Sequence, residues 1–282
     1  MYQLRTPAAS HRDFIEYYWF VTSDDAPVDL RVDVFVDGRA DLIFNFGVPY
    51  LRELRGEPPR EYGGSNLDAQ RLAPIRITQR GLVRTLGVRF RLGGLGAYVR
   101  VPLQPWTDRT PAPSEVFGEA AIAVATELER TRDVDEQARL LDAFFAARLV
   151  VDARHETFDR ALRALTSTDG RARVDEVAED AGVSSRQVDR LFAHYLGIPP
   201  KTVGRILRFQ NSLRTLMHDP GCALAEVAAA AGYFDQAHFI KDFKRMTGGV
   251  PRGYRGYYPP AAASDFAPNV VAFLQDDGGG PA

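Results

Sequence analysis

Residues 174–182, Val-Asp-Glu-Val-Ala-Glu-Asp-Ala-Gly, return fifty positions later as Leu-Ala-Glu-Val-Ala-Ala-Ala-Ala-Gly at 224–232. In the first copy Val174, Val177, Ala178 and Ala181 fall at i, i+3, i+4 and i+7, which is one face of a helix. The alanines let a second helix cross closely, and Gly182 suits the left-handed backbone of a tight turn. After each glycine comes a polar helix start, then Leu191-Phe192 or Asp242-Phe243, then a closing Gly and Pro. The pattern predicts two helix-turn-helix units in tandem, and sequence-specific DNA binding as the leading function.

The rest of the composition is compatible with that reading. A chain of 282 residues favours two domains over one. Its charged fraction, 26%, is that of an ordinary globular protein. No run approaches the roughly 18 apolar residues of a membrane span, and Met1-Tyr-Gln-Leu-Arg5 lacks the layout of a secretion signal. The single Cys222 forms no internal disulfide. The expectation is a cytoplasmic protein that does not contact membranes. Net charge is −2, which alone argues against nucleic acid, but the average hides an asymmetry. Residues 171–258 carry thirteen Lys/Arg against nine Asp/Glu, while residues 1–170 carry twenty-two against twenty-five. A basic segment on an acidic remainder fits a DNA-binding module fused to something else.

Up to residue 112 the chain reads as β-rich. Arg31-Val-Asp-Val-Phe-Val36 alternates with the strand period, Asp37-Gly38 signals a hairpin, and Asp41–Gly47, Arg76–Gln79 and Leu86–Phe90 are further strands. No helical segments alternate with them, so an antiparallel barrel or sandwich is expected rather than a doubly wound sheet. From Pro113 the period becomes helical. Ser114 is a candidate N-cap, and a second helix starting near Asp135 buries Leu140, Leu141, Phe144, Phe145 and Leu149. Phe158, Ala161, Leu162 and Leu165 continue a helical stripe, and Thr166–Gly170 reads as a linker. The expected class is α+β with two domains: a β-rich region over 1–112, a helical connector over 113–168, an all-α tandem unit over 169–258 and a flexible tail over 259–282. Residues 171–258 are expected to fold alone. Leu141, Phe145 and Arg148 lie on a different side of their helix from Leu140 and Phe144, which suggests that one side packs inward and the other joins a homodimer.

In the first unit Ser184 or Ser185 caps the second helix. Val188 and Phe192 face the core; Arg186, Asp189, Arg190 and Ala193 face out, where a recognition helix meets the major groove. The second unit has one extra residue after its glycine; there Phe239 and Phe243 face in, and Gln236, Ala237, Ile240 and Lys241 face out. Between the units, Pro199-Pro200 can start a helix whose stripe Val203, Ile206, Leu207, Gln210, Leu213 and Met217 ends before Pro220. Residues 171–258, with Arg208 and the stretch Gly232-Tyr-Phe-Asp-Gln-Ala-His-Phe239…Phe243-Lys244…Gly248…Pro251…Tyr254-Arg255, resemble the DNA-binding domain of the AraC/XylS family of bacterial transcription regulators. The resemblance implies double-stranded DNA and RNA polymerase as partners. It implies base reading by Ser185, Arg186, Asp189 and Arg190 in the first unit and by Gln236, Ala237, Ile240 and Lys241 in the second, with Lys201 and Lys244 on phosphates. Two departures matter: Asp189 can only accept from a base, and Ala237 and Ile240 offer only apolar contact.

The front half is similar to a sensor domain attached to some regulators of that family, through Glu16-Tyr-Tyr-Trp19-Phe, Asp37–Asn45 and Leu86-Gly-Val-Arg89-Phe90-Arg91. This implies a cupin-like barrel that could hold a small-molecule effector, with Trp19, Phe44, Asn45 and Arg89 as candidate lining; each is also an ordinary core or structural residue. Of the five histidines only His11 lies in the β-rich part, so no metal or other cofactor is expected there. There is no Gly-X-Ser-X-Gly elbow and no phosphate-binding loop, so no enzyme is expected. Two alternatives stay open: an enzymatic or small-molecule-binding barrel whose helical appendage never touches DNA, and a nonspecific nucleoid-type binder.

Overall fold

The computed structural model describes residues 2–23, 27–54 and 56–254. The expected tail at 259–282 lies outside them. The front half holds two antiparallel sheets. One contains β1 (Tyr2–Arg5), β2 (Ile15–Thr22), β4 (Asp41–Asn45), β7 (Asn66–Asp68) and β9 (Arg84–Phe90), in the order β1-β2-β9-β4-β7. The other contains β3 (Val28–Val34), β5 (Tyr50–Leu54), β6 (Arg60–Tyr62) and β8 (Ile75–Gly81), in the order β3-β8-β5-β6. The α+β, two-domain class holds, with the expected barrel in two-sheet form: among the described residues no strand pairing joins the sheets into a ring.

Chain-adjacent strands mostly cross from one sheet to the other, which corrects the hairpin expected at Asp37-Gly38. β3 pairs with β8, whereas β4 pairs with β7 and β9. Gly38 does take the left-handed backbone, φ +74°, but its turn serves a different purpose. Buried Arg89 donates to Asp37 on one side of the turn and to Asp41 on the other. Phe35 and Val36 are thereby carried out of the sheets and into the helical half.

Three helices close the first core. α1 (Pro113–Phe117) and α2 (Glu119–Arg130) are split by Gly118 at φ +71°, with the chain entering α1 at Pro113 rather than at the expected Ser114 cap. α3 (Val134–Ala146) is capped by Asp133, which accepts from the amides of Asp135 and Glu136. Leu128, Leu141, Phe144 and Phe145 pack against Phe20, Leu42, Phe44, Val88 and Phe90. α3 is also latched by polar contacts. Tyr18 donates to Asp142 Oδ1 at 2.8 Å, and His11 Nε2 donates to the Asp142 carbonyl at 3.1 Å, leaving Nδ1 to accept from Tyr98. Leu141 and Phe145 from one side of the helix and Phe144 from the other are therefore all buried within the chain, because α3 packs on the sheet and on α1 and α2.

The segment expected as one connector is divided between two cores. α4 (Ala153–Thr166) leaves the β-rich half and buries Phe158, Ala161, Leu162 and Leu165 among α5 (Val174–Ala181), α6 (Ser185–Tyr195) and α7 (Pro200–His218). α8 (Leu224–Ala230) and α9 (Gln236–Thr247) complete this second core. Among the described residues no helix is long and apolar enough to cross a membrane.

Among the described residues the halves dock through hydrogen bonds at two places and through Phe14 against His155 at another. Phe35 and Val36 enter the second core; Gln210 donates to the Val36 carbonyl at 2.6 Å, and Phe35 meets Tyr254 edge to face at 5.3 Å. Elsewhere Leu103 N donates to the His194 carbonyl at 2.9 Å and Thr107 Oγ1 to the Gly197 carbonyl at 2.8 Å. Gly96 permits that second approach, since a Cβ there would fall 2.4 Å from the Tyr195 oxygen.

Two outcomes follow. A fragment starting at residue 152 should melt well above one starting at 171, because the shorter one loses the buried side chains of Phe158, Leu162 and Leu165, each worth about 1.5–3 kcal/mol; equal melting by circular dichroism would refute the assignment of α4 to this core. His155 is buried among Phe14, Phe158 and Tyr195 with neither ring nitrogen hydrogen-bonded. Desolvation lowers its pKa from the ordinary 6.5, partly offset by Asp159, Asp152 and Glu156. The unfolded chain therefore takes the proton first, and stability falls as pH drops below about 6.5. His155→Phe should reduce that acid-side loss, as measured by urea midpoints at pH 7.5 and 5.

Candidate nucleic-acid interface

Each helical unit is built from local signals. In the first, α5 ends where Gly182 turns left-handed at φ +68°. α6 then starts with a reciprocal cap: the Ser184 amide donates to Gln187 Oε1 at 2.9 Å, and the Gln187 amide to Ser184 Oγ at 3.3 Å. Ser184 is thus the cap, and Ser185 instead donates to Asp175 Oδ1 at 2.9 Å. Val188 and Phe192 are fully buried, which forces the opposite face outward. Arg186, Asp189 and Arg190 are exposed there and make no hydrogen bond or ion pair among the described residues.

In the second unit Asp235 caps α9 by accepting from the His238 amide at 2.7 Å. Phe239 and Phe243 are fully buried, and Gln236, Ala237 and Lys241 are exposed. Ile240 is half-buried and leans on the core, so it offers less outward surface than its position on the helix promised. Lys201, in the first turn of α7, and Lys244, on α9, are both exposed. Five of these ten nominated residues are cationic and one, Asp189, is anionic.

α7 joins the units. Its nineteen residues span about 28 Å at 1.5 Å each. Two arginines on it, less than a turn apart, tie it to both units. Arg208 donates to the Gly170 carbonyl, before α5, at 2.7 Å, and lies over the Tyr233 ring of the second unit at 5.9 Å. Arg205 grips buried Asp242 of α9 through two hydrogen bonds, at 2.6 and 3.2 Å. The sequence reading missed this pair, although an Asp on the inner side of a helix is a signal that a cation must meet it.

It also missed Phe234. This is the extra residue between the turn glycine and the cap of α9, and it is 93% exposed. Tyr233 beside it is buried, and two successive aromatics in one tight turn cannot both point inward.

The four front-half candidates each take a structural role among the described residues. Phe44 is fully buried in the first core. Asn45 latches a turn, donating to the Val48 carbonyl at 3.0 Å and accepting from Gly47 N and Thr85 Oγ1. Trp19 lies over Gly87, where any Cβ would collide with its ring, and its indole donates to Asp41 at 3.4 Å. Arg89 is held by Asp37 and Asp41. Among the described residues there is also no cluster of three metal-ligating side chains.

Residues 177–257 match a family described as a helix-turn-helix domain, and residues 3–112 match one described as a domain of unknown function, DUF6597. The chain is 35% identical over 79 residues to the HTH-type transcriptional regulator GlxA of Rhizobium meliloti, covering 28% of this chain and 24% of that one. It is 34% identical over 86 residues to the HTH-type transcriptional regulator GbdR of Pseudomonas aeruginosa, covering 30% and 23%. The chain thus spans about a quarter of the length of these curated relatives. A solved structure of ToxT from Vibrio cholerae aligns over 81% of this chain and 97% of its own, with 12% identity and a TM-score of 0.44.

Replacing Arg205 with Ala leaves the buried Asp242 carboxylate without its bidentate partner. A loss of roughly 1–3 kcal/mol is expected, measured by urea unfolding of the full chain; no change would show that α9 is held in place by packing alone.

Proposed function

We propose that this chain, whose C-terminal region is a helix-turn-helix domain of the AraC type, is a bacterial transcription regulator that reads two successive major-groove segments with α6 and α9. The observation that carries the reading is the pairing of two separately capped helices, each fully buried on one face and polar on the other, on a single bridging helix. At about 28 Å that bridge approaches the ~34 Å turn of B-DNA over which two recognition helices would be spaced. In this division of labour α5–α9 read DNA, with α4 as part of their core. The front half, residues 1–112 with α1–α3, senses and carries out no chemistry. The protein acts in the cytoplasm, with RNA polymerase as the downstream partner, and its tandem units need no second copy to engage a site.

On α6, Arg186 and Arg190 supply donors for guanine edges and Asp189 an acceptor for cytosine. On α9, Gln236 and Lys241 supply the polar contacts and Ala237 an apolar one, with Ile240 in a lesser part. Phe234, ahead of the helix, adds an aromatic surface toward the sugar–phosphate edge. Ser185 is spoken for by Asp175 and would have to release it to reach a base. The first unit therefore discriminates more and the second contributes more affinity. Lys201 and Lys244 neutralise phosphates.

Selection of bound fragments from the source genome, followed by gel shifts across salt concentrations, gives the test. Arg190→Ala should cost about 1–3 kcal/mol on the selected site and relax preference at one or two base pairs. Lys201→Ala should weaken selected and scrambled sites alike and lower the salt slope by about one. Equal binding of wild type to selected and scrambled DNA would replace this reading with a nonspecific binder, and no binding at low salt would leave the front half as the functional one.

A further inference from the structure

Phe234 is 93% exposed, against 59% for Ile122, the next most exposed large apolar residue among those described. The chain around it is nonetheless firmly held. On one side Gly232 takes φ +76°, and the Tyr233 amide donates to the Ala228 carbonyl at 2.9 Å while its ring meets His238 and Phe239, each at 5.3 Å. On the other side Asp235 is fixed as the cap of α9. The first unit shows which residue is the addition. There the Val183 amide donates to the Ala178 carbonyl at 3.0 Å, the bond that Tyr233 makes in the second unit, and Ser184 follows at once as the cap. Val183 packs on the core, as Tyr233 does. Phe234 is therefore the inserted residue, clamped between a buried ring and a helix cap with its own ring left in water.

The charge on the helix behind it restricts what can cover that ring. Lys241, Lys244 and Arg245 are exposed along α9, whereas the Asp242 carboxylate is buried and held by Arg205, so the cap Asp235 is the helix's one exposed carboxylate. Such a surface suits a polyanion. The one apolar group that duplex DNA presents in its major groove is the C5-methyl of thymine, and alanine and phenylalanine are side chains that contact it. A recognition helix brings its N-terminal residues to the base edges. Phe234 stands immediately before the cap of α9, and Ala237, also exposed, is the second residue of the helix.

We infer that Phe234 is a base-reading residue of the second unit, which packs its ring on the C5-methyl group of a thymine at the edge of the groove entered by α9, with Ala237 on the methyl row beside it. This rests on the DNA-binding reading above and extends it, since it names the base that the second unit selects and the group by which it does so. That methyl lies beside the deoxyribose of the preceding nucleotide, so one ring covers sugar and methyl together. Little freedom is lost on contact, because the backbone is already fixed and an aromatic side chain has only two rotatable bonds. Uracil and cytosine, which lack the methyl, are refused; 5-methylcytosine, which carries it, recovers the apolar contact. A contact of this kind neutralises no phosphate, so the preference for thymine does not change with salt as the contributions of Lys201 and Lys244 do.

The test is fluorescence anisotropy of the full-length protein on the genomic site it selects, with each thymine in turn replaced by deoxyuridine. At one or two positions the loss of the methyl should weaken wild type about threefold to fivefold, the effect of one methyl group returned to water. Phe234→Ser should bind the thymine site more weakly and lose the difference between thymine and uracil at one of those positions. Phe234→Leu, which stays apolar, should keep a difference there of about twofold or more. Cytosine placed at that position should bind more tightly when methylated, in wild type but not in Phe234→Ser. Lys201→Ala should weaken thymine and uracil sites alike and leave their ratio intact. Melting temperatures of the Phe234 variants should match wild type, because the ring is almost wholly in water. A wild type that selects its site but is indifferent to uracil at every thymine overturns the inference alone, and so does a Phe234→Ser protein that keeps the wild-type ratio at every position. If that protein also loses self-association in sedimentation, the ring belongs to a contact with a second copy instead. A wild type that binds selected and scrambled DNA equally overturns the functional reading and the inference with it.

Discussion

A single buried guanidinium organises the junction between the halves. Arg89 faces Asp37 and Asp41, which bracket the turn at Gly38, and all three side chains are nearly or mostly out of water. Charges so placed are tolerated only when paired. Removing Arg89 would leave two buried carboxylates side by side, and the turn could not keep its path. That path is what carries Phe35 into edge contact with Tyr254 and sets the Val36 carbonyl where Gln210 reaches it. A buried ionic cluster of this kind adds little net stability compared with an apolar replacement, but it specifies one geometry. Here the specified geometry is the seat of the helical half on the β-rich half.

The helical half depends on a second economy of the same sort. Arg205 and Arg208 stand close together on α7, one gripping Asp242 of α9 and the other capping the Gly170 carbonyl ahead of α5. Two recognition helices on a shared rigid bridge present their outer faces at a set spacing, which is the property a tandem reader of DNA requires. The front half braces this assembly at the end of α6, at Met246 in the last turn of α9 and at Tyr254 beyond it. The front half thus touches the elements that carry both exposed helix faces.

The tandem units were legible because their signals are local. A period of 3.6, a turn glycine and a capping serine or aspartate act within a dozen residues, and α5, α6, α8 and α9 fall where those signals put them. The outer faces of α6 and α9 followed directly, since Val188 and Phe192, or Phe239 and Phe243, can face only one way. Ile240 was misjudged because neighbouring elements, absent from a helical wheel, cover part of it. Strand positions were partly legible through alternation, but their partners were not: Asp37-Gly38 has the composition of a hairpin, and the attraction of a distant arginine overrode it.

What the amino-acid order determined by itself is the set of elements with short-range causes: capped helices, turn glycines, the polar and apolar faces, and from these the DNA-reading class. What only the tertiary structure decided is everything resting on partners far apart in the chain. The assignment of α4 to the helical core and the internal burial of Leu141 and Phe145 belong to that set. So do the pairing of Arg205 with Asp242 and the hydrogen bond from Thr107 to Gly197. The physical reason is the same in each case. An apolar side chain, or a buried charge, specifies that it must be covered or paired but not by what, and that choice is made only when the whole chain competes for the same limited interior.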